Sequence, residues 1–303
     1  MLNTREPDWA YVGRSLVKVL AVTAALFLAF SAVDRVLWVF IDPSDDARIG
    51  EVYGTAARIA NPDKRLSYGY GNGAGLMETS YTLQGEPRRA GPSAGWTDYE
   101  IVENLFGTVR APSLDGSAGS LKDAIDSVQP DPEADKEEIR KTIDGLPQTL
   151  EAVGVVEFAR PMATERLVAF NRRHALCGGA GVSYIYSPSF YDDSSDPASM
   201  NAVVWNRDMT KDQGLTDLTY QCETEPEAAL AEFRRWVGLL DEGDDFSEFE
   251  LTYGWLADAA KEGVVYGLVA DRWKLADLRK LLDDPDVGTV RLADVSFDLG
   301  EMG

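Results

Sequence analysis

Three side chains in this sequence have the chemistry of a nucleophile, a proton shuttle or a soft metal ligand: the single histidine, His174, and the two cysteines, Cys177 and Cys222. His174 and Cys177 form a His-x-x-Cys spacing just ahead of Gly178 and Gly179. A closed zinc site needs about four ligands, and this spacing offers two. A Cys–His nucleophilic pair needs a free thiolate, which a bridged Cys177 cannot provide. A disulfide between Cys177 and Cys222 is the simpler expectation. Counted inclusively from 177 to 222 it closes a loop of 46 residues, and by the chain-entropy model such a bridge contributes up to roughly 4 kcal/mol in an oxidising compartment. His174 is then expected to pack or to lie on the surface, with no catalytic role.

Other spacings carry less chemistry. Gly69-Tyr-Gly71-Asn-Gly73-Ala-Gly75 has the glycine density of a phosphate-cradling loop, but it follows Asn61-Pro62-Asp63-Lys64-Arg65 and opens no helix pattern. The strand–loop–helix context that gives such a loop its meaning is missing, so a glycine-rich turn is expected. No Gly-x-Ser-x-Gly, His-Glu-x-x-His or Walker lysine occurs. The acidic run Asp192–Asp196 lacks the glycine and terminal Glu of a calcium loop and reads as a solvated loop, and Asp241-Glu-Gly-Asp-Asp245 is read the same way. No catalytic residue, metal site or cofactor is expected, because nothing resembling an assembled active site emerges from these residue types.

The elements that position these residues follow from composition and periodicity. The chain has 303 residues, 45% of them hydrophobic, enough for roughly two domains with real cores. It carries 51 acidic against 29 basic residues, a net charge of -22. Residues 1–41 hold four basic and three acidic side chains, so they are +1 and the remainder holds -23. So acidic a body repels phosphate backbones, and no basic stripe offsets the repulsion; nucleic acid is not an expected partner.

Val19–Val33 is free of charge, and after Asp34-Arg35 the apolar run resumes to Ile41. From Leu16 to Ile41 the segment is long enough to cross a bilayer of ~30 Å at ~1.5 Å per residue. Lys18 is expected to snorkel at one end, and Asp34 and Arg35 to pair near the far interface beside Trp38 in the aromatic belt. Arg5, Arg14 and Lys18 precede the helix, and Asp42, Asp45 and Asp46 follow it. The positive-inside rule therefore puts the N-terminus in the cytoplasm and the acidic bulk outside. A cleaved signal peptide with a small-x-small site at Ala29-Phe-Ser31 is the competing reading. Apolar residues continuing past that site favour an uncleaved anchor.

Beyond the anchor, residues 42–130 read as a membrane-proximal, β-leaning region: a helix-like stretch over Ile49–Arg58, strands at Leu76–Leu83 and Asp98–Val102, and a linker within Ala111–Asp135 that is rich in Pro, Ser, Gly and Asp. Residues 131–303 are more regular. A helix is predicted at Lys136–Ile143, then strand Ala152–Phe158, helix Ala163–Arg173 and strand Gly181–Tyr186. Pro226–Leu240 places Leu230, Phe233, Val237 and Leu240 at helical spacing, and Phe246–Ala260 reads as a second inserted helix. Strand Gly263–Ala270, helix Lys274–Leu282 and strand Gly288–Phe297 close the chain. The expected fold is α+β, an antiparallel sheet with helices on one face in a split β-α-β (ferredoxin-like) core carrying a helical insertion.

Gly145-Leu-Pro147, Val155-Val156-Glu-Phe-Ala-Arg-Pro161-Met-Ala-Thr-Glu-Arg-Leu167 and the closing stretch Gly263-Val-Val-Tyr266-Gly267 through Asp271, Leu275, Leu278, Pro285 and Val290 to Val295 resemble the C-terminal domain of membrane-anchored sigma-factor regulators. The resemblance covers residues 145–297, mostly at turn and core positions. It implies an exported sensor domain coupled through one membrane helix to a cytoplasmic sigma-binding domain. Only about 15 residues precede the helix here, against the roughly 50 an independent domain needs, so sigma-factor sequestration is not expected. The expectation is a non-enzymatic, membrane-anchored extracytoplasmic sensor or interaction module, in contact with membrane lipid and another envelope protein. The alternatives are a structural subunit whose partner helix shelters Asp34-Arg35, and an envelope hydrolase that brings His174 or an acidic pair into a pocket.

Overall fold

The computed structural model describes residues 9–40, 44–75, 78–92, 95–104, 106–112, 120–130, 136–176, 182–191, 199–206, 209 and 225–297. The chain is α+β, with a long apolar N-terminal helix followed by antiparallel sheets. Helix α1, Trp9–Phe40, is continuous through Asp34 and Arg35. Its stretch long and apolar enough to span a membrane is Trp9–Val33, none of it buried. That stretch starts earlier than the Leu16–Ile41 segment expected from the sequence, so Lys18 sits within it, exposed, while Asp34, Arg35 and Trp38 follow its end. The side chains of those last three lie outside the described ones.

Helix α2, Ser44–Ala60, begins three residues after α1 ends. It buries Ile49, Val52, Tyr53, Ala56, Ala57 and Ala60, a spacing of three and four that lines one helical face. Tyr53 meets Phe246 and Phe249, and Gly50 and Gly54 lie against the Tyr81 ring of a four-stranded sheet of β1 (Lys64–Gly75), β2 (Glu78–Pro87), β3 (Thr97–Asn104) and β4 (Val109–Arg110), paired antiparallel in sequence order. The glycine run expected as a turn is instead strand β1. The physical reason is the Tyr81 ring: a Cβ at Gly69 would lie 1.7 Å from its hydroxyl, so glycine there makes room for an aromatic side chain between strand and helix.

Two short helices follow. Helix α3, Ser120–Asp126, falls inside the stretch expected to be a linker, and it buries Leu121, Ala124 and Ile125. Helix α4 spans Lys136–Asp144.

The second sheet has the order β11–β5–β10–β6–β9, every neighbouring pair antiparallel. Its strands are β5 (Glu151–Ala163), β6 (Val182–Ser187), β9 (Val203–Trp205), β10 (Val264–Lys274) and β11 (Val287–Ser296); β7 (Phe190–Tyr191) and β8 (Ser199–Met200) pair separately. Helix α5 (Thr164–His174) connects β5 to β6, and α8 (Leu275–Leu281) connects β10 to β11. Each connection skips one strand of the sheet. Between these units stand α6 (Glu225–Val237), a single 3-10 turn at Ser247–Phe249, and α7 (Tyr253–Glu262). The helix expected over Phe246–Ala260 is thus divided, because Thr252 caps a new helix start by accepting from the Trp255 backbone N–H at 3.2 Å.

One face of the five-stranded sheet carries α5, α6, α7 and α8. Its core joins Val156, Phe158, Tyr184, Tyr186, Trp205, Phe233, Trp236 and Leu268 to the α2 residues and the four-stranded sheet in a single cluster. Trp236 Nε1 donates to the Glu51 carbonyl at 2.8 Å, fastening α6 to α2. The opposite face is covered too: Val153, Val155, Ile185, Val204 and Val269 pack against Leu121, Ala124 and Ile125 of α3. Helices therefore lie on both faces, and β5 is apolar throughout its first half because both of its faces are buried. The exception is Glu157, fully buried, which accepts from the Gln129 backbone N–H at 2.7 Å and from Arg291 at 3.2 Å.

Candidate functional site

Of the residues singled out by chemical type, His174 and Asp241–Asp245 are among the described ones. Cys177 and Cys222 both lie outside the described residues, as does Asp192–Asp196. His174 ends α5 and is mostly buried, its ring 4.7 Å from that of Phe170. Its Nε2 lies 2.6 Å from Asp284 Oδ2. Arg173 Nη2 bridges Asp284 and Asp286, each at 2.8 Å, and Arg166 also pairs with Asp286. Burial pushes the Asp284 carboxyl up, but the Asp286 backbone N–H, His174 and Arg173 together hold it below the usual carboxylate range. Every charge in this cluster has a partner. Within Asp241–Asp245, Asp244 is not the solvated side chain expected: it is nearly buried, pairs with Arg48 of α2 at 2.8 Å and accepts from the Asp241 backbone N–H at 2.8 Å. Among the described residues no group of three or more His, Cys, Asp or Glu could hold a metal ion.

A second charged cluster lies where the two sheets meet, built by local backbone irregularities. Strand β10 breaks register between Ala270 and Trp273, and Arg272 takes a left-handed conformation with φ 57°. Such a conformation costs a non-glycine residue on the order of 1 kcal/mol, and it marks a bulge that re-aims its neighbours. The neighbour is Asp271, buried, whose two carboxylate oxygens accept from Arg65 Nε at 2.9 Å and Nη2 at 2.6 Å in a bidentate pair. Arg65 Nη1 also donates to Glu86 at 3.0 Å. Burial alone would lower the Arg65 pKa; Asp271 first and Glu86 second raise it above the ordinary value.

Beside this saturated group sits Arg88, immediately after β2. Its backbone N–H donates to the Asp63 carbonyl at 2.8 Å, which fixes the strand end against the turn that leaves α2. Among the described residues its guanidinium donates to neutral acceptors, the Lys64 carbonyl and Ser183 Oγ, each at 3.4 Å. Burial lowers the Arg88 pKa, with Asp271 opposing and Arg65 reinforcing the shift. Arg88 borders a cleft of about 290 Å³ lined by Asp63, Pro87, Arg89, Ser120, Ala293 and Asp294. Three elements supply it. The end of β2 brings the arginine pair, the first turn of α3 brings Ser120, whose hydroxyl bonds the Ala293 carbonyl, and a register shift in β11 between Leu292 and Asp294 brings the acid. Asp294 accepts from the Ala90 backbone N–H at 2.9 Å, and Asp63 pairs with Lys64 at 2.9 Å. The described lining thus presents charges of both signs to the cleft.

Sequence reasoning missed Arg65, Arg88, Asp271 and Asp294. The available signal was weak, namely the tandem arginines of Pro87-Arg88-Arg89 and the Asp63-Lys64-Arg65 run. Compared with models of protein families, with curated proteins and with solved structures, the chain matches none.

Proposed function

We propose that this chain is a single-pass membrane protein whose N-terminal helix anchors an acidic, non-enzymatic sensor or interaction domain outside the cytoplasm. One observation carries the reading: the 25 residues Trp9–Val33 form an apolar helix that no part of the folded body covers. In water so large an apolar surface is a liability, whereas a bilayer core of ~30 Å takes up about 20 helical residues and would bury most of it. Arg5, Arg14 and Lys18 lie before the helix or in its first turns and Asp42, Asp45 and Asp46 lie beyond its end, a distribution that supports an outward-facing body. Membrane lipid is then one partner and another envelope protein the second. Cys177 and Cys222 belong to this proposal as a disulfide formed on export.

For the domain itself we propose a ferredoxin-like core of two split β-α-β units, β5–α5–β6 and β10–α8–β11, extended by β9 and by the insertion that holds α6 and α7. The strand order and the antiparallel pairing of every neighbour support this. The resemblance to the exported domain of sigma-factor regulators rests on the same segment, residues 145–297, and is proposed with it. The test is a topology reporter fused after Gly303 combined with carbonate extraction. Activity outside the cytoplasm and retention in the membrane pellet are expected. A reporter active only in the cytoplasm, or release by carbonate, would overturn the proposal. Crosslinking in gently solubilised membranes, followed by mass spectrometry, then names the protein partner.

A further inference from the structure

The cleft between the sheets holds an arginine that makes no hydrogen bond to a carboxylate among the described residues. A guanidinium carries five N–H donors, and the hydrogen bonds of Arg88 to Lys64 and Ser183 engage two of them, leaving three. Two carboxylates act on it from nearby, and both are engaged: Asp271 gives both oxygens to Arg65, and Asp63 pairs with Lys64. Arg88 is therefore a half-buried cation without an anionic partner of its own, beside a cavity. Arg89, exposed, stands next to it in the lining. A planar fork in that position is the geometry that receives a carboxylate bidentately.

A purely anionic ligand fits the rest of the lining poorly. Asp63 and Asp294 share the cleft with the two arginines, so its four charges sum to zero, and the protein as a whole carries -22. A free anion is repelled at long range by such a body. A molecule with a carboxylate at one end and an ammonium at the other matches both signs and approaches as a neutral species. The volume, about 290 Å³, is at the small end of ligand cavities, which span roughly 300–1,000 Å³. We propose that this cleft binds a small zwitterion of the amino-acid or dipeptide type, its carboxylate on Arg88 with Arg89 at the rim and its ammonium toward Asp63 and Asp294.

The experiment uses the full chain in detergent micelles. Thermal unfolding and isothermal calorimetry are run with alanine and dialanine as zwitterions, propionate and propylamine as the two half-ligands, and inorganic phosphate as an anion alone. Alanine or dialanine is expected to raise the unfolding temperature and to bind at least about tenfold more tightly than either half-ligand or phosphate, because only it satisfies both charges. Arg88→Gln and Arg88→Lys are each expected to weaken binding about tenfold or more, the lysine failing because it lacks the fork. Arg89→Gln, at an exposed position that leaves folding intact, weakens it about threefold, the scale of a rim contact. Propionate or phosphate binding as tightly as alanine would replace the zwitterion by a simple anion and overturn the proposal. So would the absence of any heat or stabilisation up to the order of 10 mM alanine or dialanine. Should both Arg88 variants fail to fold, unchanged alanine affinity in Arg89→Gln is the overturning result. Binding in micelles does not depend on which side of a membrane the domain faces, so this test and the topology test fail separately.

Discussion

The two charged clusters beside the five-stranded sheet differ in one respect that matters more than their size. At the turn before β11, Asp284 and Asp286 meet Arg166, Arg173 and His174, and each charge is answered within the protein. At the junction of the sheets, Asp271 and Glu86 are answered by Arg65, but Arg88 is left over beside a cavity. The first cluster contains the only histidine and looks more like chemistry in the sequence. The second contains no residue type that attracts attention, yet it is the one with unfilled valence toward solvent. Density of titratable groups therefore marks structure as readily as a site; the imbalance is what distinguishes them.

The comparison is broken most directly at Arg65. Replacing it by methionine takes from the buried Asp271 and the half-buried Glu86 the cation that hydrogen-bonds both, leaving only Arg88 nearby, and removing one partner of a buried pair costs about 3–5 kcal/mol. Because Arg65 retains some solvent exposure, we expect Arg65→Met to lie at the low end, about 3 kcal/mol by urea denaturation. A loss below about 1 kcal/mol would mean that water serves these carboxylates and that the junction is not a closed network.

Glu225 sharpens the contrast from the other side, as a buried carboxyl at the start of α6 whose only source of shift is burial, which pushes it up to about 8. A raised folded-state pKa contributes stability that is full below the unfolded value near 4.3 and is lost as pH rises toward about 8. Glu225→Gln removes that dependence. Relative to the variant, the wild type should lose on the order of 2–3 kcal/mol between pH 5 and pH 8. Parallel stability curves for the two proteins would show that the carboxyl is ionised and solvated at neutral pH.

The acidic turn gives the opposite sign and a smaller effect. Burial pushes Asp284 and Asp286 up, but their hydrogen-bonded and cationic partners prevail and hold both below the ordinary carboxylate value. Their contribution is present above the unfolded value near 3.9 and is lost only as pH falls through the depressed folded values. Asp284→Ala is expected to cost about 2 kcal/mol at pH 7, for a nearly buried acceptor with three donors, and the cost should shrink on acidification below pH 4. A cost that is constant from pH 7 to pH 3 would assign the loss to packing alone.

Much of this fold was legible because periodicity reports burial. Leu230, Phe233 and Val237 face the core of α6, and the strands of both β-α-β units sit within a few residues of the apolar runs that announced them. The failures have physical causes. Strand β1 was hidden because a glycine in it, Gly69, makes room for Tyr81, a contact from another strand. Helix α3 was hidden in a Pro/Ser/Gly-rich stretch because seven residues give too short a window for a periodic signal. The cleft was hidden more deeply, since Asp271 is placed by a bulge and Arg88 is defined by what it fails to contact. Neither property is local in sequence.

The smallest expected effect concerns the residue that drew most attention at the outset. His174 presents its ring to Phe170 and its Nε2 to Asp284, so its loss removes one aromatic contact and one hydrogen bond. Asp284 would keep Arg173 at 2.8 Å and the Asp286 backbone N–H at 2.8 Å, so no buried acceptor is stranded. His174→Ala should therefore cost about 1 kcal/mol, the net worth of one such bond, with the fold and the membrane level of the protein unchanged. No hydroxyl or thiol hydrogen-bonds the ring among the described residues, and its one polar partner besides Arg173 is a carboxylate that two other groups, Arg173 and the Asp286 backbone N–H, hold in place. The variant should thus bind alanine in the cleft as the wild type does and should capture the same crosslinked partner. If instead it folds normally but loses either property, the balanced cluster is itself a site, and the distinction between saturated and unsaturated charge would have failed where it was most confidently drawn.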